Sequence, residues 1–231
     1  MAKKKVLITG VSRGLGLGVC QALQKDSDKF ELIGVLRKKE SFKADFPLHL
    51  VECELSDEVS REKAIQSILK DFGSVDILIN NAGVFLDDND SATVSALPLK
   101  LATLRKTFEV NTVAPFHFIQ AFLPGMLKHN FGRIVNVSSG MGQLSKMKSG
   151  YPAYRVSKTA LNAVTAFFAD EVNGKDVIIN SVCPGWVRTD MGGAGANRSI
   201  DEGIVGILWA MNLSSAGASG GFFRDGKEIS W

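Results

Sequence analysis

Lys5-Val6-Leu7-Ile8-Thr9-Gly10-Val11-Ser12-Arg13-Gly14-Leu15-Gly16 is the stretch that decides how this chain is read. Lys5 to Thr9 is short, apolar and β-branched, the composition of a strand buried on both faces, and it stops at Gly10. From Leu15 to Gln24 the apolar residues recur at helical spacing. Between the two, glycines let the backbone turn tightly, and the helix N-terminus offers free N–H groups at the positive end of its dipole. That order of strand, turn and helix suits a pyrophosphate. The spacing is G-x-x-x-G-x-G rather than the commoner G-x-G-x-x-G, and a bare strand-to-helix turn would look similar. Its place at the head of an alternating pattern gives it weight.

Outward from this stretch the pattern continues. Strands are expected over Phe30 to Leu36, Leu48 to Cys53, Val75 to Ile79, Arg133 to Val137, Val177 to Val182 and near Gly221 to Arg224. Helices are expected over Asp57 to Phe72, with Ser56 as N-cap and Gly73 as the stop, and over Leu101 to His129, bent at Pro115 and near Pro124. Two more are expected over Tyr154 to Val172 and Ile200 to Asn212. Val84 to Pro98 is polar and turn-rich and reads as a surface excursion. Alternating strands and helices make an α/β fold, a doubly wound parallel sheet of about seven strands with helices on both faces. Ligands bind such sheets at the carboxyl ends of the strands.

The 231 residues are 45% hydrophobic, enough for a full core, and no linker or repeat divides them, so residues 1–231 read as a single domain. The apolar run after Lys3-Lys4-Lys5 is too short for a signal peptide, and no stretch approaches the roughly 20 apolar residues of a membrane span. A net charge of +3 is too weak a bias for a nucleic-acid surface. Cys20, Cys53 and Cys183 form no C-x-x-C pair, which argues for a reducing, cytoplasmic setting and against a structural metal.

A carboxylate after the second strand holds the ribose 2′-hydroxyl of NAD. Here that strand ends in Arg37-Lys38-Lys39, with no acid until Glu40, and Arg13 adds a cation from the glycine turn. Two guanidinium groups suit a 2′-phosphate, which points to NADP(H). Tyr154 and Lys158 stand four residues apart and share one helix face. A free phenol has a pKa of about 10, and a neighbouring cation is expected to lower it toward the range useful for proton transfer.

Taken with Thr9 to Gly16, Asn80-Asn81-Ala82-Gly83, Asn111, Ser138-Ser139 and Pro184-Gly185, these residues make the chain resemble the short-chain dehydrogenase/reductase family along its whole length. The resemblance implies a Rossmann-type fold and a set of roles. Tyr154 is the proton donor, Ser139 holds the substrate oxygen, Lys158 binds the nicotinamide ribose, and Asn111 holds a water of the proton relay. Gly10, Ser12, Arg13, Gly14, Leu15 and Gly16 cradle the cofactor, with Arg37 at its phosphate. Asn81, Ala82 and Gly83 line its adenosine side, while Pro184, Gly185, Val187 and Thr189 pass the nicotinamide. Glu54, with Leu55, follows the third strand where an aspartate near the adenine is commoner. Tyr151 is either a pocket wall or simple loop packing.

Cys183 to Met191 and Gly220 to Lys227 resemble the carbonyl reductases of that family, which implies reduction of a small-molecule aldehyde or ketone by NADPH. An acyl-carrier-protein 3-oxo reductase shares every catalytic residue and is the main rival; an NADP(H)-binding redox sensor would not need all three of Ser139, Tyr154 and Lys158. Only 14 residues separate Ser139 from Tyr154, so the insertion that accompanies monomeric carbonyl reductases is missing. The helices near 101–129 and 154–172 are thus free to pair in a homodimer or homotetramer, although Phe116, Phe118, Phe122, Phe167 and Phe168 equally suit a core-facing stripe. Gly192 to Gly195 reads as a mobile lid or as a plain connection.

Overall fold

The computed structural model describes residues 2–87 and 95–231; part of the polar excursion expected over 84–98 lies outside them. Among the described residues, strands β1 (Lys4–Thr9), β2 (Phe30–Leu36), β3 (His49–Glu52), β4 (Ile77–Asn80), β5 (Gly132–Val137), β6 (Val177–Val182), β7 (Phe222–Arg224) and β8 (Lys227–Glu228) form one sheet. Their order is β3-β2-β1-β4-β5-β6-β7-β8. The chain runs outward from β1 to β3 and then returns to place β4 on the other side of β1. That reversal leaves a crevice above the carboxyl ends of β1 and β4.

Side chains on β1 alternate, as strand geometry requires. Leu7 joins one core with Ile33, Leu78 and Ile134, covered by α2 (Glu58–Phe72), α4 (Ala114–His129) and α5 (Pro152–Glu171). Val6 and Ile8 join a second core on the opposite face, covered by α1 (Gly14–Gln24) and α6 (Ile200–Met211). Both faces are therefore sealed, and the apolar runs Val6-Leu7-Ile8 of β1 and Ile77-Leu78-Ile79 of β4 follow from that. A buried polar chain also ties α5 to the sheet. Asn80 Nδ2 donates to Asn136 Oδ1, Asn136 Nδ2 to Thr165 Oγ1, and Thr165 Oγ1 shares a hydrogen bond with Ser181 Oγ.

Several expectations need correction. The sheet has eight strands, and β8 pairs antiparallel with β7 through a tight turn in which Asp225 and Gly226 both have positive φ. Helix α2 is capped by Asp57, whose carboxylate accepts from Ser60 N–H at 2.9 Å; Ser56 instead donates to Glu54. The long helix is divided into α3 (Leu101–Phe108) and α4 by a wide π turn at Glu109–Val113. Pro115 sits in the first turn of α4, directly after the π turn, and Pro124 lies inside α4 without ending it.

The phenylalanines split between the two readings. Phe118, Phe122 and Phe168 are buried, while Phe116 and Phe167 are exposed and stack against Phe168 from outside. All three cysteines are free and buried. Among the described residues no helix is long and apolar enough to cross a membrane.

Candidate active site

The glycine turn sits at the crevice. Gly10 and Gly14 adopt φ +76° and +57°, and α1 starts at Gly14 with no side chain capping its first turn. A side chain at Gly16 would run into the Gly10 carbonyl. Asn81 Nδ2 donates to the carbonyls of Thr9 and Gly10 at 2.9 and 3.2 Å, and Thr9 Oγ1 accepts from the N–H groups of Asn81 and Ala82. These bonds fasten the ends of β1 and β4 together. Ser12 and Leu15 are half-buried in the same turn. Thr189 overhangs it, since a Cβ on Gly14 would lie 3.4 Å from the Thr189 methyl. Pro184 and Val187 are buried beneath that overhang, and Gly185 has φ +81°.

The two arginines have different surroundings. Arg13 Nη1 pairs with Asp190 Oδ2 at 2.7 Å, with both side chains largely exposed. Arg37 is exposed at the end of β2, and its charge reaches Glu54. Partial burial pushes the Glu54 carboxyl up, but the Ser56 N–H and hydroxyl, helped by Arg37 and Lys106, bring it below its ordinary value. Glu54 Oε1 is already engaged by Ser56, so it is turned back on its own loop. Leu55 is buried, and its carbonyl accepts from Arg61.

Ser139 follows β5, where its Oγ accepts from Met141 N–H at 3.1 Å. Tyr154 and Lys158 lie on α5 and face the same place; both are nearly inaccessible, at 9% and 4% exposure. Lys158 Nζ donates to the Val137 carbonyl at 2.8 Å and stands 5.8 Å from the centre of the Tyr154 ring. Gly83 fits between Asn111 and Lys158: a Cβ there would lie 3.3 Å from Asn111 Oδ1 and 3.4 Å from Lys158 Nζ. Asn111 is carried on the π turn. Its side chain accepts from Val84 N–H at 2.8 Å, donates to the Val84 carbonyl at 2.9 Å and donates to Ser157 Oγ at 3.1 Å. The structure thus brings Ser139, Tyr154 and Lys158 together, with Asn111 beside them.

The electrostatics differ from expectation in one respect. Burial pushes the Tyr154 phenol up to about 12, against a downward pull from the Ser139 hydroxyl. Burial also brings the Lys158 ammonium down to about 8. Desolvation therefore outweighs any lowering of the phenol by the lysine, because the ammonium is turned toward a backbone carbonyl. The phenol is therefore protonated at neutral pH.

Some residues at the site carry no mark in the sequence. Phe85 packs its ring 4.9 Å from Tyr154 and 5.1 Å from Tyr151, so both tyrosines touch the same phenylalanine. Asp87 is fully buried and accepts from two N–H groups of α5. Cys183 Sγ accepts from Gly140 N–H and from Arg224. The loop after Ser139 is held from the far end of the chain. Gln143 donates to the Ser230 carbonyl, Ser145 donates from N–H and hydroxyl to the Trp231 carbonyl, and the Trp231 ring stacks on Phe222. The 186–198 segment is held from within, by Trp186 Nε1 donating to the Gly192 carbonyl, and from the β7–β8 turn, where Asp225 accepts from Arg198.

Residues 4–198 match the family described as short chain dehydrogenase. The chain belongs to that family. This short chain dehydrogenase is 30% identical over 236 residues to the short-chain dehydrogenase anuI of Penicillium roqueforti, covering 93% of this chain and 91% of that protein. It is 30% identical over 214 residues to a 3-oxoacyl-acyl-carrier-protein reductase of Haemophilus influenzae, covering 90% of this chain and 82% of the relative. Among solved structures, the NADPH-bound carbonyl reductase from chicken fatty liver superposes over 100% of both chains with a TM-score of 0.84 at 28% identity. The chain is an oxidoreductase with the doubly wound fold and the carbonyl-reductase likeness that its sequence implies.

Proposed function

We propose that this chain reduces an aldehyde or ketone to the alcohol with NADPH, and that Tyr154 gives the proton. The observation that carries the reading is the convergence of the Ser139 hydroxyl and the protonated Tyr154 phenol beside Lys158 and Gly83, above the glycine turn. The likeness to an NADPH-bound carbonyl reductase supports it. The dinucleotide fits the residues present: the uncapped first turn of α1 takes the pyrophosphate, while Gly10 and Gly16 keep the turn tight and free of side chains. Arg13 and Arg37 receive the 2′-phosphate, and Asn81 to Gly83 and Pro184 to Thr189 line the rest.

When bound, the cofactor supplies a hydride from its nicotinamide. The protein does the remaining work. Ser139 Oγ and Tyr154 OH hold the substrate oxygen, and the Tyr154 proton moves to that oxygen as negative charge builds on it. Lys158 holds the nicotinamide ribose, and its charge favours the phenolate that remains. Asn111 positions Val84, next to Gly83, beside them and holds a water of the proton relay. Gly140 to Tyr151 and the 191–198 loop shape the substrate pocket.

A 3-oxoacyl substrate is the second reading, motivated by the Haemophilus influenzae relative. One assay separates the two: oxidation of NADPH and of NADH with a panel of aldehydes, ketones, quinones and acyl thioesters. Preference for free carbonyl compounds and for NADPH is expected, and thioester-selective turnover would favour the rival. Tyr154→Phe should bind NADPH normally and lose about 10²- to 10⁴-fold in turnover; near-normal rates would remove the proton donor.

The free, buried cysteines suit a cytoplasmic enzyme. The exposed Phe116 and Phe167 suit a homodimer, or a homotetramer, built on α4 and α5. Sedimentation should show a dimer or larger that Phe167→Glu reduces to a monomer; a monomeric wild-type particle at micromolar concentration rejects it.

A further inference from the structure

We propose that Asp87 is the positioning residue for the proton donor, seating the first turn of α5 so that the Tyr154 side chain meets Ser139. This rests on the reductase reading above. Helix N-termini leave their first N–H groups without intrahelical partners, and a side chain at the N-cap normally supplies an acceptor. Helix α5 lacks that arrangement. Its N-cap residue, Tyr151, has left-handed backbone (φ 54°, ψ 50°) and offers no capping hydrogen bond, and the next residue, Pro152, has no N–H. The following two N–H groups, of Ala153 and Tyr154, donate to Asp87 Oδ1 at 2.8 Å and Oδ2 at 3.1 Å. The cap therefore comes from a segment 66 residues earlier, and with Asp87 at 0% exposure it is the carboxylate, not bulk water, that serves these N–H groups in the folded protein.

The same segment touches the site at every step. Asn111 holds Val84 by both its N–H and its carbonyl, and it also holds Ser157, the neighbour of Lys158. Phe85 lies edge-on to the Tyr154 ring at 4.9 Å and against Tyr151 at 5.1 Å. Asp87 then grips the Tyr154 main chain. Residues 84–87 thus fix the proton donor by its backbone and its ring, and they tie it to the side of the site where Gly83 meets Lys158. Tyr154 is the third residue of α5, so any loosening of the first turn moves its Cα directly. The positive-φ entry at Tyr151 costs about 1–3 kcal/mol and persists only where the surroundings enforce it; Asp87 and Phe85 are those surroundings.

The test compares wild type with Asp87→Ala and Asp87→Asn in the full chain, with 4-nitrobenzaldehyde as substrate. Three quantities are read: kcat, KM for the aldehyde, and the Kd for NADPH. Asp87→Ala should lower kcat by roughly 10- to 100-fold, the scale of a misplacement near 1 Å, with the NADPH Kd within about twofold. Asp87→Asn keeps one acceptor oxygen and should fall between the two. A second readout needs no turnover. The chain has two tyrosines, so a Tyr151→Phe background leaves the Tyr154 phenol alone in an ultraviolet pH titration. Its midpoint, pushed up to about 12 by burial, should move down toward the ordinary value near 10 when Asp87→Ala opens the turn to water. Both kcat and the midpoint must move; either one unmoved overturns the proposal, as does a loss of NADPH affinity in step with kcat. If the alanine variant fails to fold, the same criteria apply to Asp87→Asn. Tyr154→Phe run alongside keeps the two ideas apart. Its retention of activity would sink the reductase reading, whereas retention by the Asp87 variants alone would sink only the positioning role.

Discussion

Lys158→Met isolates the cost of burying the ammonium. Burial lowers the Lys158 pKa from 10.5 to about 8 in the folded protein. At about 1.4 kcal/mol per decade of proton affinity, the charged lysine costs the folded state about 3 kcal/mol wherever both states are protonated, below about pH 8. Methionine keeps the aliphatic stem and removes the charge. It also leaves the Val137 carbonyl, now bonded to Nζ at 2.8 Å, without its donor, which offsets about 1–3 kcal/mol of the gain. At neutral pH the two proteins should therefore differ little in stability. The decisive quantity is how that difference changes with pH. Between about pH 8 and 10.5 the unfolded chain binds more protons at this site than the folded one, so the wild type gains stability as pH rises. The variant has no such group. Guanidinium unfolding of both proteins without cofactor, across that window, should show the wild type gaining about 3 kcal/mol relative to Lys158→Met. Ionisations common to the two drop out of the comparison. A flat or falling difference would refute the argument that desolvation governs this lysine. Turnover by the variant should be lost at every pH, and reduction by the wild type should decline above about pH 8 as Lys158 loses its charge.

Arg37→Asp should move cofactor preference toward NADH by at least about tenfold in the ratio of KM values, since a hydrogen bond to a charged group contributes about 1.5–3 kcal/mol. An unchanged ratio would contradict the phosphate assignment. Gly16→Ala drives a methyl into the Gly10 carbonyl and toward Asn81 Nδ2, so the turn must open. NADPH affinity measured by fluorescence should fall along with about 1–3 kcal/mol of stability, and a wild-type Kd would show that the turn tolerates the change.

The parts of this fold that the sequence announces are those written in local runs. β2 and β6 occupy the expected residues because each is a short segment rich in apolar and β-branched residues, interrupted only by Glu31 and Gly34 in β2 and by Asn180 and Ser181 in β6. The glycine turn, Tyr154 and Lys158 were legible because their spacing alone places them. The π turn was not, because nothing local distinguishes Glu109 to Val113; it lets Asn111 reach Val84, a partner 27 residues away. The prolines of that helix, Pro115 and Pro124, both lie beyond the turn, within α4. β8 had a usable local signal in Asp225-Gly226, a pair suited to a two-residue hairpin turn. Asp87 had none, since Asp87-Asp88-Asn89-Asp90 looks like an ordinary polar loop and the N–H groups it serves lie far along the chain. The pKa of Tyr154 was misjudged for a related reason: a four-residue spacing reveals the lysine but not how deeply both groups are buried.

The hold of Ser230 and Trp231 on Gln143 and Ser145 also bears on how the enzyme is made. A ribosome delivers residues 143–145 some 85 positions before the pair that secures them, at roughly 5–20 residues per second. The sheet can grow from β1 outward during translation, but the segment bordering Ser139 stays unfastened until residues 230 and 231 emerge. The loop bordering Ser139 is thus secured only on the order of ten seconds after residues 143–145 have been made.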